Sequence, residues 1–117
     1  MYIGKLARLG GATPRAIRLY ESRGLIPAPR RKGKYRVYSD KDLVLVHMIR
    51  RGQAVGFGLE EMKCLIEHKA QTDQFPLDIA NDLIRVKRAQ LREEMQRLAD
   101  QDRQLLDLHE EINRTFG

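Results

Sequence analysis

The first segment of the chain shows two short stretches with helical spacing. In the first stretch the apolar residues are Ile3, Leu6 and Ala7. Their i, i+3, i+4 spacing predicts a helix over residues 3–9, which the glycine pair at positions 10 and 11 ends. Thr13 followed by Pro14 is typical of a helix start, because the hydroxyl caps the first turn and proline suits its first position. This second helix is expected to run to about Arg23, and the two together form a helix-turn-helix pattern.

A short β-hairpin is expected after the second helix. Pro27 and Pro29 keep their segment extended, since proline fixes φ and lacks an amide hydrogen. Gly33 suits a turn, and residues 35–38 alternate in a way that favours a strand. The sequence therefore predicts a two-stranded wing with residues 32–34 at its tip.

Two further helices are expected after the wing. Ser39 and the acidic residues that follow it predict a helix N-terminus, and this helix is expected to end near residues 52–56. A shorter helix with one apolar face is expected from about Leu59 to His68. Residues 69–74 are polar and separate these helices from the rest of the chain.

The last third of the sequence carries a seven-residue apolar repeat. Its members are Leu77, Ile84, Leu91, Leu98, Leu105 and Ile112. No glycine or proline lies between Pro76 and Gly117, so we expect one helix over residues 77–113, about 55 Å long. An apolar seam that projects this far requires a partner helix, most economically the same helix of a second subunit. The alternative is a helix folded back on its own domain, with Pro76 as the hinge.

The seam is polar in its middle. The positions three residues after the central repeat members are Lys87, Glu94 and Gln101. A seam of this kind holds two helices together less strongly than one that is apolar both at the repeat positions and three residues after them. Its lysine and glutamate could meet across an antiparallel pair of helices.

Composition and charge favour a small domain with an appendage. The 117 residues are 42% hydrophobic and 32% charged, which is typical of a globular chain. The net charge is +6, but residues 1–73 hold 15 Lys and Arg against 7 Asp and Glu, whereas residues 74–117 hold 7 against 9. The excess peaks between Arg30 and Arg36, for which a polyanion is the natural partner; the alternative is a merely solvated basic face. The charge therefore divides the chain into a basic part, residues 1–73, and a slightly acidic part, residues 74–117.

Several classes of protein are not expected. No apolar stretch approaches the roughly 20 residues that span a bilayer, and the N-terminus lacks an export signal, so a cytoplasmic protein without a membrane partner is predicted. The sequence shows no phosphate-binding loop, nucleophile elbow or carboxylate pair, and therefore neither catalysis nor a cofactor is expected. The three histidines are widely spread, and no metal site is expected within one subunit.

The chain has one cysteine, Cys64, in the predicted fourth helix. One thiol forms neither an internal disulfide nor a thiolate metal cage. We expect Cys64 to be a buried small apolar residue. The alternative is a redox- or electrophile-responsive switch, since Lys63 and His68 close by would favour the thiolate.

Five motifs in the first 66 residues stand at fixed spacing. They are Tyr2 to Ala7, Thr13 to Glu21, Gly24 to Arg30, Tyr35 to Ser39 with Asp42 and Leu43, and Gly56 to Met62. Together they resemble the MerR family of bacterial transcription regulators, as its opening helix, recognition helix, connector, wing and fourth helix. The match covers residues 2–66, and a long helix follows, as in the family.

The resemblance implies a mostly α fold, in which a winged helix-turn-helix DNA-binding head over residues 1–73 precedes a long dimerisation helix over residues 74–117. This helix would join a homodimer through an antiparallel coiled coil. It implies binding to a palindromic promoter operator and a signal-dependent distortion of the spacer DNA that lets RNA polymerase engage the promoter. The residues that the resemblance assigns to DNA binding are Thr13, Arg15, Arg18, Tyr20, Lys34, Tyr35, Arg36 and Tyr38. The two helix arginines are expected on phosphates or a guanine. Tyr20 is expected to meet a phosphate unless its ring is purely structural, and Tyr38 to seat the wing.

The chain departs from the family pattern at several positions. Ala16 and Leu19 stand where the family usually has hydroxyl groups, so operator contacts are expected to differ. The metal-sensing branches place cysteines near the start of the long helix and beyond its end. Residues 72–79 contain none, which argues against a thiolate metal sensor unless a further segment follows Gly117. The alternatives are a thiol-responsive or constitutive repressor of the same fold and a protein-interaction module without sequence-specific DNA contact.

Overall fold

Helices dominate the structure, as predicted. The computed structural model describes residues 1–72 and 74–117, with the side chains of residues 70–72 outside that description. Along the described chain the elements are α1 (Ile3–Gly10), α2 (Pro14–Ser22), β1 (Arg30–Lys32), β2 (Tyr35–Val37), α3 (Asp40–Ala54), α4 (Leu59–Thr72) and α5 (Leu77–Phe116). α1 and α2 form the helix-turn-helix, and the hairpin of β1 and β2 is the wing.

The turn between α1 and α2 forms at the residues where the sequence predicts the end of one helix and the start of the next. Gly11 ends α1 with a φ of +68°, a conformation that residues with a Cβ rarely adopt. The Thr13 hydroxyl oxygen accepts a hydrogen bond from the Ala16 amide at 3.1 Å, and Pro14 opens α2. Arg50 Nε donates to the Gly11 carbonyl at 3.1 Å, so α3 also holds the turn in place.

A capping box starts α3 directly after the wing. The amide and hydroxyl of Ser39 donate to Asp42 Oδ2 at 2.8 and 3.2 Å, and the Ser39 hydroxyl oxygen accepts from the Asp42 amide at 3.3 Å. Asp42 is 5% exposed, and these hydrogen bonds offset the cost of burying its carboxylate. The cap therefore determines where the wing ends and the helix begins.

One apolar core joins α1 to α4 and the base of the wing. Its buried residues are Leu6, Ala7, Ile17, Tyr20, Leu25, Ile26, Tyr38, Val46, Ile49 and Met62. α1 and α3 approach closely at Gly10, where an added Cβ would lie 2.7 Å from Val46 Cγ1. The missing side chain lets these two helices pack directly on each other.

The chain divides into two compact units, Met1–Pro76 and Leu77–Gly117. The second unit is α5, which is 40 residues long and buries none of its side chains. The predicted boundary between residues 73 and 74 falls at a residue outside the described part of the chain, and the division of roles across it stays a prediction. None of the described helices is long and apolar enough to cross a membrane.

α4 is longer than expected. It extends to Thr72 rather than ending near His68. Residues 69–72 contain no glycine or proline, and their lysine, alanine and glutamine favour a helix, so polarity alone does not end it.

We expect Gly10→Ala to lower the free energy of unfolding by about 1–3 kcal/mol, because the added methyl overlaps the stiff branched side chain of Val46. Gly4→Ala on the same helix is the matched control. No atom lies within 4 Å of a Cβ built at Gly4, so alanine there should leave stability unchanged or raise it by up to about 1 kcal/mol. Urea unfolding followed by circular dichroism measures both. An equal change in the free energy of unfolding of the two variants would contradict the close packing of α1 on α3.

Candidate nucleic-acid interface

α2 has one buried side and one exposed side. Ile17 and Tyr20 are 0% and 1% exposed and belong to the core. Arg15 and Arg18 are exposed, and their three-residue spacing places them on one side of the helix. α2 therefore presents two guanidinium groups to solvent from a helix whose position is set by the core.

The wing concentrates positive charge on a small hairpin. β1 and β2 pair antiparallel, with Arg30 opposite Val37, Arg31 opposite Arg36 and Lys32 opposite Tyr35. Like charges directly across a strand pair destabilise it, so the facing arginines work against the hairpin. The wing's other cations, all of them exposed, are Arg30, Lys32 and Lys34. An anionic partner would relieve this repulsion.

The carboxylate of Glu21 attaches the wing to α2. Its Oε2 and Oε1 lie 3.2 and 3.3 Å from Arg36 Nε, and Oε2 accepts a hydrogen bond from the Tyr38 hydroxyl at 3.2 Å. The side chains of Glu21 and Arg36 are 17% and 34% exposed, so this pair is better shielded from water than a surface ion pair. Glu21 therefore offsets part of the repulsion on the wing and sets the wing's position on α2.

The role of Glu21 was not predicted from the sequence. Helical spacing gives it no special place, because its partners lie 15 and 17 residues further along the chain. One signal was present: Glu21 is the only acidic residue among the first 39. A single carboxylate in so basic a segment indicates a specific cationic partner.

Tyr38 seats the wing, as predicted for this residue. It is 2% exposed, so its side chain belongs to the core and not to the surface that DNA would meet. Burial, together with the negative charge of Glu21 and the hydrogen bond to it, raises the pKa of Tyr38 to about 12. The hydroxyl therefore keeps its proton and remains a donor to Glu21 at neutral pH.

Tyr20 lies in the core, which corrects the expectation that its hydroxyl meets a phosphate. The residue is 1% exposed, and its hydroxyl donates to Gln53 Oε1 on α3 at 2.7 Å. Tyr20 follows the buried Ile17 by three residues and therefore shares its side of α2. This spacing was the signal for the structural alternative. The hydrogen bond to Gln53 joins α2 to α3.

The remaining predicted contact residues of the wing lie at its turn and on β2. Lys34 Nζ lies 5.7 Å from the centre of the Tyr35 ring, and the ring of Tyr2 lies 5.9 Å away at a tilt of 56°. Tyr35 is 59% exposed. Thr13 is also exposed, at the start of α2, with its hydroxyl oxygen engaged as the helix cap.

Cys64 is exposed on α4, which corrects the expectation that it is buried. Met62 is a core residue of this helix, and a residue two positions later lies about 200° around the helix axis, on the opposite side. Among the described residues, no three His, Cys, Asp or Glu side chains are placed to hold a metal ion. A thiol-responsive role for Cys64 stays a prediction.

These features define the class of the protein. A helix-turn-helix places its second helix in the major groove of DNA, and a basic surface beside that helix is the electrostatic footprint of nucleic-acid binding. Here the second helix exposes Arg15 and Arg18, and the adjoining hairpin exposes its cations. The first unit has the winged helix-turn-helix fold, which is typical of DNA-binding proteins.

Comparison with known protein families identifies the family to which the chain belongs. The family model described as "MerR HTH family regulatory protein" matches residues 1–69, and the model described as "MerR, DNA binding" matches residues 43–108. The chain belongs to the MerR family of DNA-binding transcriptional regulators, as its sequence motifs predicted.

Individual relatives extend the match over most of the chain. The HTH-type transcriptional regulator YfmP of Bacillus subtilis (strain 168) is 34% identical over 118 residues, which cover 99% of this chain and 82% of that protein. The transcription regulator PbrR691 from Ralstonia metallidurans CH34, solved in complex with lead(II), is 31% identical with a TM-score of 0.72, over 94% of this chain and 86% of that one. HiNmlR, a MerR family regulator lacking the sensor domain and bound to promoter DNA, shares the fold at 20% identity and a TM-score of 0.65, over 97% and 93%.

The raised pKa of Tyr38 predicts a loss of stability in alkali. An unfolded tyrosine has a pKa of about 10, whereas that of folded Tyr38 is about 12. The unfolded chain therefore releases this proton first, and the stabilisation present below pH 10 is lost as the pH rises towards about 12. Tyr38→Phe should be less stable at neutral pH, and its deficit relative to the wild type should shrink across this range.

Urea unfolding at a series of pH values measures the effect. Tyr35→Phe, which changes an exposed ring three residues earlier in the wing, is the control and should keep the wild-type pH dependence. If the free energy of unfolding of Tyr38→Phe stays below that of the wild type by a constant amount from pH 9 to 12, the raised pKa of Tyr38 is contradicted.

Proposed function

We propose that the protein binds a palindromic promoter operator as a homodimer and distorts the spacer DNA in response to a signal still to be identified. RNA polymerase then engages both promoter elements, and the protein acts in the cytoplasm. The observation that carries the proposal is the pairing, in one domain, of the exposed arginines of α2 with a crowded cationic wing. Membership of the family and the fold shared with promoter-bound HiNmlR support it.

The DNA contacts divide between α2 and the wing. The proposed contact residues are Thr13, Arg15, Arg18, Lys34, Tyr35 and Arg36, with Tyr20 and Tyr38 supporting them from the core. Arg15 and Arg18 donate to phosphate oxygens or to a guanine edge in the major groove. The wing cations follow the adjacent phosphate backbone, where a positive charge replaces condensed counterions and raises affinity at low salt.

The apolar seam of α5 supports the homodimer. Its six members, which are 48% to 64% exposed in the single chain, are Leu77, Ile84, Leu91, Leu98, Leu105 and Ile112. An exposed apolar row of this length is unstable in water and is covered by a second helix. A twofold pair of chains also matches the symmetry of a palindromic operator.

Distortion of the spacer follows from two heads held at a set distance. If the half-sites do not match that distance in straight DNA, the duplex between them must bend or untwist. Smooth bending of a 20–30 base-pair site by 40–90° costs on the order of 1–6 kcal/mol. A signal that favours one conformation of the dimer by this amount is enough to change the shape of the promoter.

Selection of bound duplexes from a random pool, followed by footprinting, tests the proposal. We expect an enriched sequence with two inverted half-sites, bound at least about 10³-fold more tightly than a scrambled duplex at the same salt concentration. Equal affinity for the selected and scrambled duplexes at every salt concentration would reject a sequence-specific regulator. That result would favour the protein-interaction module.

Single alanine substitutions separate the two kinds of contact. Lys34→Ala should weaken binding to operator and scrambled duplexes alike and reduce the slope of log K against log salt by about 1. Arg18→Ala should cost about 1–3 kcal/mol on the operator. Arg103→Ala, an exposed cation on α5, is the control. Fluorescence anisotropy at several salt concentrations measures all three, and an equal loss in Arg103→Ala would show that only total charge matters.

A charge in the apolar seam tests the dimer. Leu98→Glu should convert the protein to a monomer at micromolar concentration, because two carboxylates would be buried in the interface without partners. Gln96→Glu adds the same charge at a position that faces away from the seam and should leave a dimer. Sedimentation equilibrium distinguishes them. A wild-type monomer would support a helix that folds back on its own domain.

A further inference from the structure

Glu21 lies between the two cationic parts of the proposed DNA-binding surface. It follows Arg18 by three residues on α2, and its carboxylate contacts Arg36 of the wing. The pKa of Tyr38 is raised by burial and by its contact with Glu21. The positive charges of Arg36 and Arg18 oppose this rise, so both arginines are close enough to act on the contact electrostatically.

A negative charge at this place works against the binding of DNA. The first 39 residues hold ten Lys and Arg and a single carboxylate, that of Glu21. A cation that meets a phosphate releases condensed counterions, and a carboxylate beside that cation reduces the gain in affinity. A neutral glutamine could accept the hydrogen bond of the Tyr38 hydroxyl equally well. The charge of Glu21, and not this hydrogen bond, is therefore the property that sets the residue apart.

Glu21 engages one edge of the Arg36 guanidinium and leaves the others available. A guanidinium carries five N–H donors in one plane. The Nε of Arg36 lies 3.2 and 3.3 Å from the two carboxylate oxygens, whereas no acceptor among the described residues takes the four donors of its Nη nitrogens. The Arg36 side chain is 34% exposed. One guanidinium can therefore bind Glu21 through Nε and a phosphate through its Nη donors at the same time.

The contact with Glu21 also fixes Arg36 before DNA binds. A free arginine side chain samples many rotamers, and ordering it on binding lowers affinity. Glu21 is itself held, because its Oε2 accepts from the hydroxyl of the core residue Tyr38 at 3.2 Å. Phosphate contacts set the position of a protein on the duplex. An arginine fixed in advance therefore favours a duplex whose backbone already lies, or easily bends, to where the guanidinium is.

The same carboxylate repels the phosphates of any duplex. A phosphate oxygen bound to an Nη of Arg36 lies within about 8 Å of the Glu21 carboxylate, because each link between them is about 3 Å or shorter. This distance is about one Debye length at physiological salt, so the repulsion persists there. Non-specific binding depends almost entirely on charge and is weakened by this repulsion. Operator binding is weakened too, but it gains from the fixed position of Arg36.

We propose that Glu21 determines sequence discrimination: it positions Arg36 for an operator phosphate, and its charge weakens binding to every other duplex. Glu21 acts through Arg36 and does not itself contact DNA. The inference rests on the sequence-specific DNA binding proposed above. It adds that one carboxylate within a cationic surface sets the ratio of operator affinity to non-operator affinity.

Glu21→Gln in the full chain removes the charge and keeps the length of the side chain. We expect its affinity for a scrambled duplex to rise about three- to tenfold at about 0.15 M salt, and the slope of log K against log salt to steepen by up to about 1. Affinity for the selected operator should not rise, because Arg36 loses its fixed position. The ratio of operator to scrambled affinity should therefore fall at least about threefold. Fluorescence anisotropy measures both constants.

Glu21→Asp makes the complementary change. Aspartate keeps the charge but is one methylene shorter, so it cannot hold Arg36 and the Tyr38 hydroxyl in the same places. Affinity for the scrambled duplex should stay within about twofold of the wild type, whereas affinity for the operator should fall about three- to tenfold. An equal loss on both duplexes in the two variants would indicate a merely structural role and overturn the proposal. An equal gain on both duplexes in Glu21→Gln would show that charge acts without positioning and would also overturn it.

Glu60→Gln is the matched control for net charge. Glu60 also pairs with an arginine of the first unit, Arg23, at 3.8 Å, but the two side chains are 76% and 54% exposed. Neither residue belongs to the proposed contact set, and an exposed pair contributes little. Affinities of Glu60→Gln for both duplexes should stay within about twofold of the wild type. A gain on the scrambled duplex as large as that of Glu21→Gln would assign the effect to net charge and overturn the proposal.

A double-mutant cycle tests whether Glu21 acts through Arg36. Arg36→Gln should weaken binding to both duplexes, because it removes a phosphate contact. In this background Glu21→Gln should change the ratio of operator to scrambled affinity by less than about twofold, since the side chain that Glu21 positions is absent. A change in this ratio as large as in the wild-type background would overturn the proposal.

Circular dichroism at the assay temperature verifies that each variant is folded. If Glu21→Gln is not folded, the opposite responses of the two duplexes to Glu21→Asp decide the outcome. A wild type that binds operator and scrambled duplexes equally would overturn the proposed function itself. A wild type that discriminates between them, together with any of the contradicting results above, would overturn only the role of Glu21.

Discussion

The attachment of the wing to α2 by Glu21 is the interaction on which the proposed DNA-binding surface depends. The wing has only three residues in each strand, and an isolated hairpin of this size is at best marginally stable. Its facing arginines weaken it further. Glu21 draws Arg36 to α2 and accepts the buried hydroxyl of Tyr38, whose ring belongs to the core. One carboxylate and one buried ring thus place the wing cations relative to the arginines of α2.

The molecule has two surfaces that are unfavourable in the isolated chain, and each suits a different partner. The wing and α2 crowd cations that a polyanion would neutralise, and α5 exposes an apolar seam that a second helix would cover. The charge is divided accordingly, since residues 1–73 carry the positive excess and residues 74–117 are slightly acidic. In the proposed function, binding of DNA and pairing of chains therefore draw on separate parts of the molecule.

Local signals predicted the elements well, and side-chain environments less well. Thr13, Ser39 and Gly11 act through neighbours within a few residues, so the ends of α1, α2 and α3 could be predicted from them. Cys64 was expected to be buried and Tyr20 to reach DNA. In both cases the helix was predicted correctly and the facing direction of one residue was not, because that direction depends on which side of the helix its neighbours cover.

The sequence by itself determined the helix periodicity, the caps, the seven-residue seam and the location of the positive charge, because each depends on residues close together in the chain. Only the tertiary structure decided which groups join the elements. Glu21 meets Arg36 and Tyr38 across 15 and 17 residues, and Tyr20 meets Gln53 across 33. These contacts exist because core packing brings α2, the wing and α3 together, and no local pattern specifies which polar groups then lie within hydrogen-bonding distance.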